Sequence, residues 1–263
     1  YSLSRKEQLL IANESPWGLI LFKRNIKSLN QVKSLIKKIR KASRDTKFPI
    51  LIDEEGQTVS RLREIINHNV SQNLFGDIYK YNPKIAIKIY KNYINKLSGL
   101  LKDLGININT IPVLDVLREK THKIIGVRSY SNNQNIVKKL GNICVKQHKL
   151  NKLGTVIKHI PGHGCSSFDS HLKKPVVDLS VRDLNKIDFF PFKSNSSPFA
   201  MTAHILYSKI DKNNVATFSK KEPLFVQEGL GIKKYGGQII SNRHIDLVAN
   251  NIALQLDAEV VEF

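Results

Sequence analysis

The sequence predicts one domain of the parallel α/β class, and within that class a TIM-type (β/α)8 barrel. Short apolar runs alternate with segments of helical periodicity along the 263 residues, which is typical of parallel strands joined by helices. The G-x-G-x-x-G turn that usually follows the first strand of a doubly wound sheet does not occur. Polar residues instead follow nearly every predicted strand, where a barrel carries its active site. We therefore prefer a barrel to a doubly wound sheet.

The individual elements follow from the spacing of the apolar residues. Short apolar runs predict strands at 18–22, 49–52, 108–114, 155–160, 199–204, 238–241 and 259–263. Apolar residues at helical spacing predict helices at 32–39, 84–104, 136–150, 180–189 and 243–254. Gly105 directly follows the longest of these helices and is expected to cap it. No internal repeat or low-complexity linker divides the chain, so we expect residues 1–263 to form a single domain.

Composition excludes several classes of protein. Hydrophobic residues make up 41% of the chain, which is enough for a core and excludes global disorder. The only two cysteines exclude a disulfide scaffold and indicate a reducing compartment, so we expect a cytoplasmic location. No apolar run approaches the ~20 residues that cross a bilayer, so we expect no membrane association.

The charge raises the question of a nucleic-acid partner. Lys and Arg number 42 against 22 Asp and Glu, for a formal net charge of +20. Lysine dominates over arginine and is spread along the whole chain, and it lacks the planar fork that reads bases and phosphates. We therefore expect no specific nucleic-acid partner and keep a basic nucleic-acid-binding protein as the second alternative function.

The densest group of chemistry-bearing residues follows the fourth predicted strand. Residues 158–164 (KHIPGHG) lead from that strand into a loop that Pro and Gly make irregular, and Asp169 and His171 come shortly after. A metal site would have to combine His159 and His163 with Asp169 or His171, but a strand followed by a loop does not bring such ligands together, so we expect no metal. A carboxylate beside an imidazole instead suits general acid–base catalysis, which favours Asp169 and His171. The alternative is that these histidines only form hydrogen bonds within the loop.

A second group follows the strand at 49–52. Three carboxylates, Asp53, Glu54 and Glu55, are adjacent there, and Arg61 comes eight residues after the first of them. Carboxylates at a pocket rim suit the capture of sugar hydroxyls, and the alternative is a solvated turn. Arg128, in the short segment GVRSYS, is a candidate cation of the pocket or an ordinary surface residue.

Seven segments of the chain resemble glycoside hydrolase family 3, in particular its bacterial β-N-acetylglucosaminidase branch. They occur in the family's order and are GLILFKRNI (18–26), LIDEEGQTVSRL (51–62), IPVLDV (111–116), GVRSYS (126–131), GTVIKHIPGHGCSSFDSH (154–171), AMTAHILY (200–207) and LGIKKYGGQIIS (230–241). The pattern K-H-x-P-G-H-G followed by D-x-H is highly specific. The resemblance implies a (β/α)8 barrel with the sugar pocket at its C-terminal face, and we expect the family's first strand and closing helix to be absent here.

The resemblance also implies an activity, which needs no cofactor. The expected reaction is the removal of a terminal non-reducing N-acetylglucosamine from β-linked amino sugars or muropeptides in peptidoglycan recycling. The expected mechanism is a two-step retaining one, in a monomer. It implies that His171, paired with Asp169, is the mobile general acid/base. It implies that five side chains hold the sugar ring: Asp53, Arg61, Arg128, Lys158 and His159.

One residue departs from the family pattern at the most important position. The family's nucleophile is an aspartate directly after a strand of the form G-x-I-x-[Ser/Thr], here residues 237–241, and the next residue in this chain is Asn242. An amide is neutral and a poor nucleophile, so its presence at this position is expected to cost several orders of magnitude in rate. The first alternative function is therefore a catalytically inactive sugar-binding member of the family.

Overall fold

The computed structural model describes residues 2–167, 175–193 and 195–219. The strands of this part are β1 (Leu19–Leu21), β2 (Ile50–Ile52), β3 (Ile108–Asn109), β4 (Gly154–Ile160), β5 (Val176–Val177), β6 (Phe199–Thr202) and β7 (Leu206–Tyr207). The helices are α1 (Arg5–Glu14), α2 (Leu29–Ser43), α3 (Gln72–Tyr81), α4 (Pro83–Leu104), α5 (Gln134–Leu150) and α6 (Val181–Lys186). In this part of the chain, no helix is long and apolar enough to span a membrane.

Five of the strands form a curled parallel sheet, which corresponds to half of a barrel. Their order is β1-β2-β3-β4-β6, and every neighbouring pair is parallel. Strands β5 and β7 pair separately, also in parallel. The prediction of a parallel α/β fold is confirmed.

The two faces of the sheet differ because successive side chains of a strand point to opposite sides. On one face, Ile50 and Ile52 of β2 join the main core together with the buried sides of α2, α4 and α5. On the other face, Leu51 belongs to a smaller cluster built mostly from strand residues. Helices on one face and strand side chains on the other are the arrangement expected outside and inside a barrel.

The helix ends follow local sequence signals. Ser28 accepts a hydrogen bond from the backbone N–H of Gln31 and caps α2. Asn82 caps α4 in the same way, and Pro83 takes its first position. Gly105 ends α4 in the left-handed conformation with φ 91°, as predicted.

Several elements differ from the prediction. The predicted strand at 108–114 is reduced to β3, because Pro112 has no N–H to donate to a ladder, and Val113 only bridges to Lys158. Helices α1 and α3 were not predicted, since neither has a long apolar stripe. The strands predicted at 238–241 and 259–263 and the helix predicted at 243–254 lie outside the described residues.

Candidate functional site

Polar side chains from the ends of β2, β3 and β4 meet at the carboxyl edge of the sheet. Three side chains at its centre are almost fully buried: Asp53 is 3% exposed, Glu55 6% and Lys158 2%. The strands deliver these groups to the edge, because Asp53 and Glu55 follow the fully buried β2 and Lys158 lies in the mostly buried β4. Charged groups buried to this extent persist only when they are paired.

Asp53 lies between two cations. Its Oδ2 accepts a hydrogen bond from Nη2 of Arg61 at 2.8 Å, and its Oδ1 lies 3.2 Å from Nζ of Lys158. The Thr110 hydroxyl also donates to Oδ1 of Asp53 and in turn lies 3.1 Å from the lysine nitrogen. Burial alone would raise the pKa of Asp53, but the charges of Lys158 and Arg61 outweigh burial and hold it well below its usual range. Asp53 is therefore ionised at any physiological pH.

Glu55 forms the second pair of the network. Arg128 donates to it through Nε at 2.7 Å and Nη2 at 3.0 Å, which is the bidentate geometry of a guanidinium on a carboxylate. Lys158 Nζ lies 2.5 Å from Oε1 of the same carboxylate, the oxygen that also accepts from Nη2 of Arg128. Burial would raise the pKa of Glu55, but Arg128 and then Lys158 lower it to about 2. Lys158 thus bridges two carboxylates that follow β2.

Glu54, between these two residues in sequence, has a different role. Its carboxylate accepts hydrogen bonds from Oγ of Ser60 at 2.6 Å and from the backbone N–H groups of Arg61 at 2.9 Å and Leu62 at 3.0 Å. The Nδ1–H of His68 donates to it as well. Glu54 is fully buried and folds the loop that returns Arg61 to Asp53. The alternative of a solvated turn at 53–55 is therefore wrong.

Arg128 is held in place by helix α3. The side-chain amide of Gln72, at the start of that helix, donates to the carbonyls of Val113 at 3.1 Å and of Arg128. Gly76, one turn further on, packs against the backbone of Tyr130 so closely that an added Cβ would lie 1.7 Å from the carbonyl oxygen. The segment that carries Arg128 therefore depends on a helix that the sequence patterns did not predict.

A third group of contacts joins Asp115 to the end of β4 and to the segment that follows it. The Nδ1 of His159 lies 2.7 Å from Oδ2 of Asp115, and the backbone N–H of His163 donates to Oδ1 at 2.7 Å. Burial would raise the pKa of Asp115, but the two histidines, His159 first, lower it to about 2. Burial lowers the pKa of His159, and although Asp115 opposes this effect, Arg128 and Lys158 add to it. His159 is therefore neutral, beside an ionised Asp115.

The structure brings together five of the residues that the sequence singled out, namely Asp53, Arg61, Arg128, Lys158 and His159. The other three, Asp169, His171 and Asn242, lie outside the described residues. Three participants were not assigned to the site: Thr110, Glu55 and Asp115. For the two acids a signal existed, because Glu55 belongs to the carboxylates that follow the strand predicted at 49–52 and Asp115 directly follows the one predicted at 108–114. Nothing in the pattern distinguished Thr110.

The described part of the site is suited to binding a neutral, polar ligand. Three cations, Arg61, Arg128 and Lys158, are balanced by three carboxylates, Asp53, Glu55 and Asp115. Fixed donors and acceptors in a water-poor environment recognise hydroxyl and amide groups strongly. Since their pKa values are held low, these carboxylates do not act as proton donors near neutral pH. Within the described ranges, no cluster of three or more His, Cys, Asp or Glu side chains could hold a metal ion.

Similar proteins are found among both curated sequences and solved structures. A beta-hexosaminidase A of Pseudoalteromonas piscicida is 33% identical over 222 residues, which cover 78% of this chain and 36% of that protein. A beta-hexosaminidase of Nitrosomonas eutropha is 27% identical, over 88% of this chain and 67% of that protein. The chain thus spans only about a third to two thirds of the length of these relatives.

Two solved structures show the same arrangement of the chain. NagZ from Neisseria gonorrhoeae, in complex with N-trifluoroacetyl-D-glucosamine, superposes with a TM-score of 0.83 at 27% identity, over 97% of this chain and 74% of that one. A glycoside hydrolase family 3 beta-N-acetylglucosaminidase from Paenibacillus sp. superposes with a TM-score of 0.79 at 26% identity, over 97% of this chain and 49% of that one. Residues 2–244 match the family described as the glycosyl hydrolase family 3 N terminal domain. The chain therefore belongs to glycosyl hydrolase family 3.

Proposed function

We propose that this chain binds the terminal non-reducing N-acetylglucosamine of a β-linked amino sugar or muropeptide and hydrolyses its glycosidic bond. One observation carries this proposal. The five side chains that the resemblance assigns to the sugar ring meet in one buried network at the carboxyl end of β2 and β4. The complex of Neisseria gonorrhoeae NagZ with N-trifluoroacetyl-D-glucosamine supports an N-acylated glucosamine as the ligand class.

In this proposal the network orients the sugar and other residues carry out the bond cleavage. Lys158 and the two guanidinium groups donate to sugar oxygens, while His159 and the carboxylates accept from hydroxyl groups. His171, paired with Asp169, protonates the leaving oxygen and later removes a proton from water. The resemblance assigns position 242 to the nucleophile, for which a retaining enzyme needs a carboxylate.

Asn242 favours a second candidate function, a sugar-binding protein without turnover. An amide forms no stable glycosyl ester and carries no charge to stabilise an oxocarbenium ion. On the first proposal, native turnover is lower than that of an aspartate variant by on the order of 10³ or more. On the second, the native chain binds the sugar but does not turn it over.

Both candidates are tested with a chromogenic β-N-acetylglucosaminide and three proteins: the native chain, Asn242→Asp and the matched control Asn250→Asp. We expect slow native turnover, a rate higher by about 10³ or more in Asn242→Asp, and no gain in Asn250→Asp. Sugar binding by the native chain without turnover would favour the second candidate. If neither the native chain nor Asn242→Asp binds or hydrolyses the sugar, both candidates are wrong.

We also infer the setting in which this activity operates. Residues 1–263 belong to a single domain of the TIM-type (β/α)8 barrel class, which is supported by the curled parallel sheet of the described residues and by the likeness of the fold to native NagZ from Neisseria gonorrhoeae (TM-score 0.84, 24% identity, 100% of this chain and 84% of that one). The protein acts as a cytoplasmic monomer in peptidoglycan recycling, without a cofactor and without a specific nucleic-acid or membrane partner. The two free cysteines, one buried and one half-buried, support a reducing compartment.

A further inference from the structure

Asp115 is a fully buried carboxylate that lies just outside the sugar-binding set. It follows the short strand β3 and is 0% exposed. Its Oδ2 lies 2.7 Å from Nδ1 of His159, and its Oδ1 accepts from the backbone N–H groups of His163 at 2.7 Å and of His159 at 3.3 Å. One carboxylate therefore organises both the side chain of His159 and the backbone that follows it.

The positions of the protons on His159 follow from these contacts. An ionised carboxylate only accepts hydrogen bonds, so the proton between Asp115 and His159 belongs to Nδ1 of the histidine. The guanidinium of Arg128 only donates, and its Nη2 lies 3.5 Å from Nε2 of His159. Both neighbours therefore favour the same tautomer, with Nδ1 protonated and Nε2 carrying a lone pair.

We propose that Asp115 is a positioning residue that holds His159 in the Nδ1–H tautomer, so that Nε2 accepts a hydrogen bond from a hydroxyl group of the bound sugar. This inference rests on the proposed function for its ligand, although the tautomer itself does not depend on it. The other acceptors of the site, Asp53 and Glu55, are each already bound to two cations. Nε2 of His159 is an acceptor that a sugar hydroxyl reaches without displacing such an ion pair.

The substitution Asp115→Asn tests this role with little change of shape. The asparagine oxygen still accepts from the two backbone N–H groups, while its NH₂ group now faces Nδ1 of His159. Because the amide nitrogen donates, Nδ1 must become the acceptor and the proton moves to Nε2. The variant therefore inverts the polarity of the ring nitrogen that faces the sugar.

The first measurement is ¹⁵N NMR of protein labelled on its histidines, without any sugar, with His159→Gln used to assign the resonance. We expect a protonated Nδ1 and an unprotonated Nε2 in the native chain, and the reverse in Asp115→Asn. Asp188→Asn is the matched control, because Asp188 is also 0% exposed and ion-paired, to Arg118, and its loss should leave the His159 tautomer unchanged. A native His159 that is protonated on Nε2 would overturn the proposal, even if Asp115→Asn does not fold.

The second measurement is calorimetric binding of N-acetylglucosamine and of its 3-, 4- and 6-deoxyfluoro derivatives. Fluorine cannot donate a hydrogen bond, so one derivative should bind the native chain at least 10-fold more weakly than N-acetylglucosamine does. In Asp115→Asn, the difference in affinity between these two sugars should be less than about threefold. In a His159→Gln background, Asp115→Asn should change affinity less than twofold. If Asp115→Asn changes the affinity as much in the His159→Gln background as in the native chain, Asp115 acts only through the backbone. That result would overturn the proposal.

The two measurements separate this inference from the proposed function. If the tautomer is as expected but the native chain binds none of these sugars, the proposed function fails and the orientation of His159 by Asp115 stands. If the sugars bind and the tautomer is not as expected, the proposed function stands and the positioning role of Asp115 is wrong.

Discussion

The ion pair between Lys158 and Glu55 allows a quantitative test of the buried network. Its nitrogen and oxygen lie 2.5 Å apart, and both side chains are only 3% exposed. The pair between Lys23 and Glu64 is a natural comparison, because its atoms lie 2.8 Å apart but its side chains are 65% and 60% exposed. The two pairs therefore differ in burial and in the further partners of the buried pair, Asp53 and Arg128.

We expect breaking the buried pair to cost far more than breaking the exposed one. Lys158→Met leaves Asp53 and Glu55 with one cation each, and Glu55→Gln removes the carboxylate that Arg128 and Lys158 share. Each change unbalances the buried charges, which typically costs up to about 3–5 kcal/mol in the free energy of unfolding. The double variant removes both groups, so its cost should be smaller than the sum of the two single costs by about 2–3 kcal/mol. For Lys23→Met and Glu64→Gln the corresponding coupling energy should be below about 1 kcal/mol, because water screens both charges.

The assay is urea unfolding at pH 7 of all four members of each double-mutant cycle, at low salt and in 1 M NaCl. Salt should abolish the coupling of the exposed pair and leave most of the coupling of the buried pair. Equal coupling energies in the two cycles, or a buried coupling that salt abolishes, would refute the conclusion that Lys158 and Glu55 form a desolvated network.

Two further predictions concern parts of the fold that support the site. His148 in α5 donates through Nδ1 to the carbonyl of Cys144, and burial lowers its pKa to about 4 from 6.5. Because the folded state resists protonation of His148, the free energy of unfolding is unaffected by this group above pH 6.5 and falls by about 3 kcal/mol in total as the pH drops toward 4. His148→Leu should therefore show a flatter dependence of the free energy of unfolding on pH from 7 to 4. An unchanged slope would contradict this. Gly76→Ala should destabilise the chain by at least about 1–3 kcal/mol and weaken sugar binding, because its Cβ displaces the backbone of Tyr130 next to Arg128. The matched control is Gly99→Ala in α4, where the new methyl group meets open space and should stabilise the helix by about 1 kcal/mol. Equal effects of the two changes in thermal unfolding would show that the contact between Gly76 and Tyr130 is unimportant.

Local patterns predicted the longer elements well. Helix α4 is a clear case, because Ala86, Tyr90 and Ile94 recur at helical spacing and are all buried in the structure. Strands β1, β2 and β4 were also found from their apolar runs, within one or two residues at their ends. Helix α3 was missed, since it buries only a few residues and one of them is the polar Gln72.

The role of each acid in the sequence Asp53-Glu54-Glu55 could not be predicted from the pattern. All three are buried, but the outer two bind cations of the site and the middle one folds the loop that holds Arg61. Adjacent positions in a loop point in different directions, and the partner of each depends on how the chain returns. Such a difference is decided by three-dimensional contacts rather than by residue type.

The resemblance of the sequence to glycoside hydrolase family 3 supplied five of the side chains that meet at the site. The sequence by itself determined the class of fold and the strands that carry polar residues to one edge. Those features depend on local periodicity and on the general rule that parallel strands end on the same side of a sheet. Only the tertiary structure decided which charges are paired, because Lys158 meets Asp53 across 105 positions of sequence and His159 meets Asp115 across 44. Contacts over such separations depend on the register of neighbouring strands, which a single sequence does not encode locally, and they determine both the charge balance of the site and the tautomer of His159.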